Sequence, residues 1–179
     1  MKPSFVIVGL GNPGSSHAET RHNLGFKAVD LLKEKFGAGE WEDRQKFSAL
    51  VAEGKIGESV VLFVKPQTFM NRSGESIRKI VDFFKLDTGT QLLIISDDID
   101  LPIGEIRMRT SGGPGTHNGL KSVVEQIGEN FARLRIGLGA PQKGEDLAAW
   151  VLSVPPEGER ETLLRVMESV IKPVEDFVG

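Results

Sequence analysis

Apolar residues recur along this chain in two rhythms, and the alternation between them sets the fold class. Short, mostly continuous apolar runs at Phe5–Val8, Val60–Val64, Leu92–Ser96 and Leu134–Gly137 read as buried strands. Side chains alternate across a strand, so apolar residues at successive positions require an interior on both faces. Phe47–Ile56 and Glu105–Arg109 mix polar with apolar positions and read as partly exposed strands. In Gly25–Phe36, Ser76–Phe84, Gly119–Gly128 and Glu157–Val178 the apolar positions fall three or four apart, the spacing of a helix with one inward face. Ser73 and Asn118 stand where the N-caps of two of these helices are expected. Strands alternating with helices predict one α/β domain over residues 1–179. Its expected form is a three-layer sandwich in which a mixed, largely parallel central sheet is flanked by helices. Ligands of such sheets bind at the carboxyl ends of the strands, so the loops there are where function is sought.

The first of these loops lies in "VGLGNPGSSHAETRHNLGF", Val8 to Phe26, where Gly9, Gly11 and Gly14 match the G-x-G-x-x-G pattern of dinucleotide sites. Such a site needs free backbone N–H groups and a helix that begins inside the motif, with its positive end at the pyrophosphate. Pro13 removes one N–H, the helix starts only after "SSHAETRHN", and Asp30 falls inside that helix instead of at a second strand tip. The glycines therefore read as turn residues, and the chemistry passes to the side chains Asn12, His17, Arg21, His22 and Asn23. Three further loops share this polar, turn-rich character: "KPQTFMNRSG", "SDDIDLPIG" and "SGGPGTHNGLKS". All three histidines lie in these loops. Asp97 is the first carboxylate after the apolar run Leu92–Ile95, which places it at the sheet's carboxyl edge. A carboxylate bonded to one imidazole nitrogen fixes the tautomer and makes the other a better base, so His22 and Asp97 form a candidate catalytic pair.

Composition removes several alternatives. With 179 residues, 39% of them hydrophobic, the chain suffices for one sizeable core. The absence of cysteine excludes disulfides, thiolate zinc sites and a cysteine nucleophile. There is no G-x-S-x-G, and Ser15, Ser16 and Ser73 read as turn or cap residues, which leaves water as the nucleophile. Asp97, Asp98 and Asp100 diverge along an extended segment with no second acidic loop to join them, so no metal is expected. The amino-terminal residues carry no signal pattern, and the apolar runs are far too short to span a membrane, so a cytoplasmic protein is expected. Net charge is −3 overall, yet residues 103–143 hold six bases and three acids. Arg107, Arg109 and Arg135 in this stretch are the candidates for phosphate contact.

Taken together, "GLGNPG", "TRHNLGF", "KPQTFMNRSG", "DDIDLPIG", "THNGLKS" and "RLRIGLG" occur in an order that closely resembles the bacterial peptidyl-tRNA hydrolases, over essentially the whole chain. The resemblance implies metal-independent hydrolysis, without a cofactor, of the ester joining a peptide to the terminal ribose of tRNA. It implies peptidyl-tRNA as partner, held at its acceptor end and nearby phosphates, and a monomer with no obligate protein partner. It also implies His22 as general base, Asp97 as its carboxylate, Asn12, Asn71 and Asn118 as amides that position substrate and water, and Phe69 at the border of the bound tRNA end. Three departures stand out. His17 occupies a position where the family usually has tyrosine, and offers a smaller ring and an N–H to the substrate. Pro114 and Thr116 replace a more glycine-rich loop, and "WVLSVPPEGERE" keeps a lid-like placement without an aromatic residue after Val154. A non-enzymatic RNA-binding module on the same fold would keep the basic face and lose the catalytic set; here Asn12, His22, Asn71, Asp97 and Asn118 are all present.

Overall fold

The four strands expected from continuous apolar runs lie side by side at the centre of a seven-stranded sheet, in a computed structural model that describes residues 2–179. In chain order the elements are β1 (Phe5–Gly9), α1 (Leu24–Lys35), β2 (Glu42–Arg44), β3 (Ala49–Ile56), β4 (Ser59–Pro66), α2 (Ser73–Phe84) and α3 (Thr88–Gln91). They continue with β5 (Leu92–Asp98), β6 (Ile106–Arg109), α4 (Asn118–Ile127), β7 (Ala132–Gly137), α5 (Leu147–Val151), α6 (Glu157–Glu168) and α7 (Ile171–Val178). The sheet order is β2-β3-β4-β1-β5-β7-β6. β4, β1, β5 and β7 run parallel, while β2 and β3 on one side and β6 on the other pair antiparallel. The pleat sorts the core into two halves. Val6 and Val8 pack with Ile77, Ile80, Leu120 and Val123 of α2 and α4, whereas Ile7 packs with Leu32, Leu163, Val166 and Val174 of α1, α6 and α7. Helices thus cover both faces and the expected three-layer, largely parallel sandwich is present.

One close approach sets where the site forms. A Cβ at Gly25 would lie 2.4 Å from the carbonyl oxygen of Leu10 and 2.5 Å from that of Ile95, and one at Gly9 would lie 2.0 Å from the Gly25 carbonyl. Only glycine lets the first turn of α1 rest on the carboxyl ends of β1 and β5. The turn immediately before α1, residues 21–23, is thereby pressed against the sheet edge.

Several local expectations are corrected. Ser73 is the first residue of α2 rather than its cap; the chain enters the helix directly from a tight turn at 70–72, and the Ser73 hydroxyl donates to the Met70 carbonyl at 2.8 Å. The cap of α4 is His117, not Asn118: His117 Nδ1 accepts the Leu120 N–H at 3.1 Å, an imidazole in the role of a carboxamide. The single helix expected over Glu157–Val178 is broken into α6 and α7 around Ser169 and Val170. Pro173 explains the break, because it has no N–H for the carbonyl four residues earlier and its ring would strike that carbonyl, whereas the first turn of α7 accommodates it. β3 begins at Ala49 instead of Phe47, since Phe47 closes a tight turn and Ser48 takes a left-handed conformation at φ +52°.

Candidate active site

Asp97 is the penultimate residue of β5, and alternation from Leu93 and Ile95, which face the α1 layer, turns its carboxylate toward the same layer. It is 2% exposed. Oδ2 lies 2.8 Å from His22 Nδ1, and Oδ1 lies 2.9 Å from His117 Nε2. His22 comes from the turn before α1 and His117 from the entry to α4, so the two imidazoles reach one carboxylate from opposite layers. The backbone hydrogen bond from Leu120 decides the tautomer of His117. Its Nδ1 is an acceptor, so its proton sits on Nε2 and is donated to Asp97. His22 likewise donates Nδ1–H, which leaves its Nε2 with a lone pair. Burial alone would raise the Asp97 carboxyl, but His117 and His22, by charge and hydrogen bond, hold it well below the usual carboxylate range. Burial alone would lower the His22 imidazole; the charge and hydrogen bond of Asp97 outweigh it and hold His22 above its ordinary value.

Asn12 is fixed at three points. Its N–H donates to Asn23 Oδ1 and its carbonyl accepts from Asn23 Nδ2, each at 2.9 Å, and its own Oδ1 accepts the Met70 N–H at 2.7 Å. That last bond assigns the amide orientation and presents Nδ2 as a donor. The Met70 N–H is aimed by Phe69, which is in a left-handed, extended conformation at φ +65° and ψ 157° and is 52% exposed. A non-glycine residue in such a conformation stores strain that its surroundings must hold. His17, half-buried, meets the exposed Phe69 ring edge-on at 6.4 Å.

A cleft of about 350 Å³ runs past His22, Asp97, His117 and Asn118 to Arg135, with Val151 of α5 on its far wall. Asn12 lines a separate groove of about 320 Å³ with Asn23, Phe26 and Lys65. Asn71 is exposed in the turn at 70–72. The structure therefore brings His22, Asp97, Asn118 and Arg135 into one cleft, and sets Asn12, His17, Phe69 and Asn71 outside its lining. His117 is the partner that sequence reasoning left without a role; its position directly before a helix-forming segment was the available signal. His22, Asp97 and His117 also offer three donor atoms within 4.8 Å of one another, although a metal there would displace both hydrogen bonds to Asp97.

Beside the cleft, Arg107 faces Arg135 and Arg109 faces Arg133 across the β6–β7 pair. Like charges placed opposite one another destabilise a sheet, so the strip points to an external anion. Arg107 and Arg109 are exposed and form no ion pair among the described residues. Arg135 has only a 3.5 Å contact with Asp98 and a 3.2 Å bond to the Gly113 carbonyl. Arg133 differs. It is fully buried, stacks 3.9 Å from the Phe131 ring and donates to the Glu129 carbonyl at 2.7 Å. Burial, reinforced by Arg135, brings its pKa down to about 10.

Fold and site together define an α/β enzyme built on a buried imidazole–carboxylate–imidazole cluster beside an arginine strip. The family model for peptidyl-tRNA hydrolase matches residues 6–179. The peptidyl-tRNA hydrolase of Alkaliphilus oremlandii is 46% identical, with 97% of this chain and 92% of that protein covered, and that of Fusobacterium nucleatum is 45% identical over 92% and 84%. A crystal structure of peptidyl-tRNA hydrolase from Acinetobacter baumannii superposes with a TM-score of 0.92 at 39% identity, covering 99% of this chain and 90% of the other. The chain belongs to the peptidyl-tRNA hydrolase family and is a hydrolase.

Proposed function

We propose that the protein hydrolyses the ester between the peptide and the terminal ribose of peptidyl-tRNA, with His22 as general base and water as nucleophile. Water donates a proton to His22 Nε2 as its oxygen attacks the acyl carbon, and Asp97 stabilises the imidazolium that forms. The tetrahedral intermediate collapses with cleavage of the bond to the ribose oxygen, which takes the proton from His22. The products are a free tRNA and a peptide carboxylic acid, which keeps the second proton of the water and releases it to solvent as it ionises to the carboxylate. No proton remains unaccounted for, and an activated ester needs only an oriented water, a base and donors for the developing oxyanion. Asn12 supplies its free Nδ2 donor, and Asn71 and Asn118 amide donors and acceptors, none of which titrates. The observation that carries this reading is the Asp97 carboxylate, both of whose oxygens are occupied by imidazoles, so that His22 Nε2 is left as the available base.

Arg107, Arg109 and Arg135 contact phosphates near the acceptor end, and the His17–Phe69 pair borders that end. The protein works as a monomeric single domain in the cytoplasm, without an obligate protein partner. In keeping with this, both halves of its core share one sheet, and no helix among the described residues is long and apolar enough to cross a membrane. The deciding experiment measures release of an N-blocked aminoacyl group from tRNA in excess chelator, alongside the unblocked aminoacyl-tRNA. Rapid hydrolysis of the blocked substrate only is the expected result; tRNA binding without turnover would favour the RNA-binding module.

A further inference from the structure

Arg21, the neighbour of the base in sequence, takes no part in the reaction above, yet it is 6% exposed and carries a full charge. Its guanidinium is committed to the carboxyl-terminal segment. Nε and Nη2 donate to Glu159 Oε1 and Oε2 at 3.1 and 2.8 Å, a bidentate pair with the first turn of α6. Nη1 donates to the Ser153 hydroxyl and, at 3.4 Å, to the Trp150 carbonyl. The guanidinium carbon lies 4.4 Å from the centroid of the Trp150 ring, and the Arg21 backbone N–H donates to the Ser153 carbonyl at 3.1 Å. A planar guanidinium does what an ammonium cannot: it forks onto a carboxylate while stacking on an aromatic face.

Beyond the Trp150 and Ser153 contacts to Arg21, α5 is held by its Asp146 cap and by half-buried Trp150 and Val151 against the core. α5 is five residues long and has no fully buried side chain. A helix this short does not persist by its own hydrogen bonds. Its Leu147, Ala148 and Val151 line the cleft that also contains His22, Asp97 and His117. Arg21 and His22 occupy one tight turn, so the group that anchors the wall and the group that acts as base are fixed to the same backbone.

We propose that Arg21 is a positioning residue that seats α5 as the far wall of the cleft and thereby sets how tightly the substrate's acyl end is held opposite His22. The proposal rests on the reading of His22 as base only for what stands opposite the wall. Arg21→Met should raise KM for N-blocked aminoacyl-tRNA by roughly fivefold to twentyfold with kcat within about twofold, the pattern expected when ground state and transition state are weakened equally. Arg21→Lys, which keeps the charge without fork or stack, should recover part of that affinity. Hydrogen exchange of residues 148–153 should quicken by at least about tenfold in Arg21→Met while that of β5 stays unchanged. Should Arg21→Met not fold, Trp150→Leu and Ser153→Ala remove the link from its other end. Both should raise KM while leaving the acidic limb of the pH profile where it is in the parent. Unchanged KM together with unchanged exchange at α5 in folded variants would overturn the proposal, as would a fall in active fraction at constant KM. A parallel His22→Ala variant separates the two readings: turnover that survives there defeats the general-base assignment and leaves the result for α5 intact.

Discussion

Asp97 is bonded to His22 at 2.8 Å through one carboxylate oxygen while His117 occupies the other at 2.9 Å, so the carboxylate cannot rotate away from the base it orients. Replacement of His22 by Ala should lower kcat by roughly 100- to 10,000-fold, the range for a positioned general base, with little change in tRNA affinity. The base works unprotonated, so activity should rise with pH through its pKa, which the Asp97 charge holds above the ordinary value of about 6.5. Asp97→Asn removes the anion that stabilises the imidazolium, and its acidic limb should move to lower pH. Rate–pH profiles of parent and variant check both the position and the sign; coincident profiles would mean that the pair is not coupled in solution.

His117 should matter through Asp97. In His117→Ala one buried carboxylate oxygen is left without its donor and the first turn of α4 without its cap, which costs about 1–3 kcal/mol for an unmet buried acceptor. His117→Gln restores a donor of similar reach. Thermal unfolding and kcat measured together should show the alanine variant impaired in both and the glutamine variant partly rescued. Equal impairment of the two would mean that the donor to Asp97 is not what His117 contributes.

Asn12→Asp keeps an oxygen for the Met70 N–H and replaces only the free Nδ2 donor, so the fold of the loop should survive. The variant should discriminate less well between blocked and free amines, because a carboxylate attracts the ammonium of an unblocked aminoacyl-tRNA. The ratio of kcat/KM for the two substrates is the readout; an unaltered ratio would return Asn12 to a purely structural role.

The arginines should separate into two kinds. Arg107→Ala and Arg135→Ala should each reduce the slope of log affinity against log salt by about 0.7 to 0.9 for every phosphate that is no longer neutralised. Arg133→Met, by contrast, strips donors from buried carbonyls and should lower the melting temperature while leaving that slope alone. Salt titrations of tRNA binding and melting curves of the three variants distinguish the roles.

His17→Tyr should preserve the edge-on packing against Phe69, and His17→Ala should raise KM about twofold to tenfold, in line with the worth of an aromatic pair. Steady-state kinetics on one blocked substrate decide it; identical KM values for all three proteins would make His17 a tolerated loop residue.

The sheet and its flanking helices were legible because burial on two faces and burial on one leave different periods in a sequence. Short elements were not. β2 is exposed at all three residues and α5 buries none, so neither carries an apolar rhythm. His22 and Asp97 were legible because each sits beside a strongly patterned element. His117 and Arg21 are placed in the functional loops by the sequence but given no role there, for a different reason: their meaning lies in partners 20 and 138 residues away, which no local pattern records. Arg133 and Arg135 look alike in "RLRIG" and, two residues apart, share one face of β7; only the cover on that face, the Phe131 ring and the Glu129 carbonyl against Arg133, separates the buried one from the one at the cleft.

The span of the Arg21–Glu159 pair has a consequence for the order in which the enzyme comes into being. Synthesis is vectorial and delivers the amino-terminal part first. His22 emerges early and Asp97 and His117 follow, but Glu159 is made 138 residues after Arg21. A growing chain therefore holds the proposed base, its carboxylate and the capping imidazole of α4 well before α6 supplies the carboxylate that fixes Arg21, so the cluster is made before the anchor of the wall that faces it.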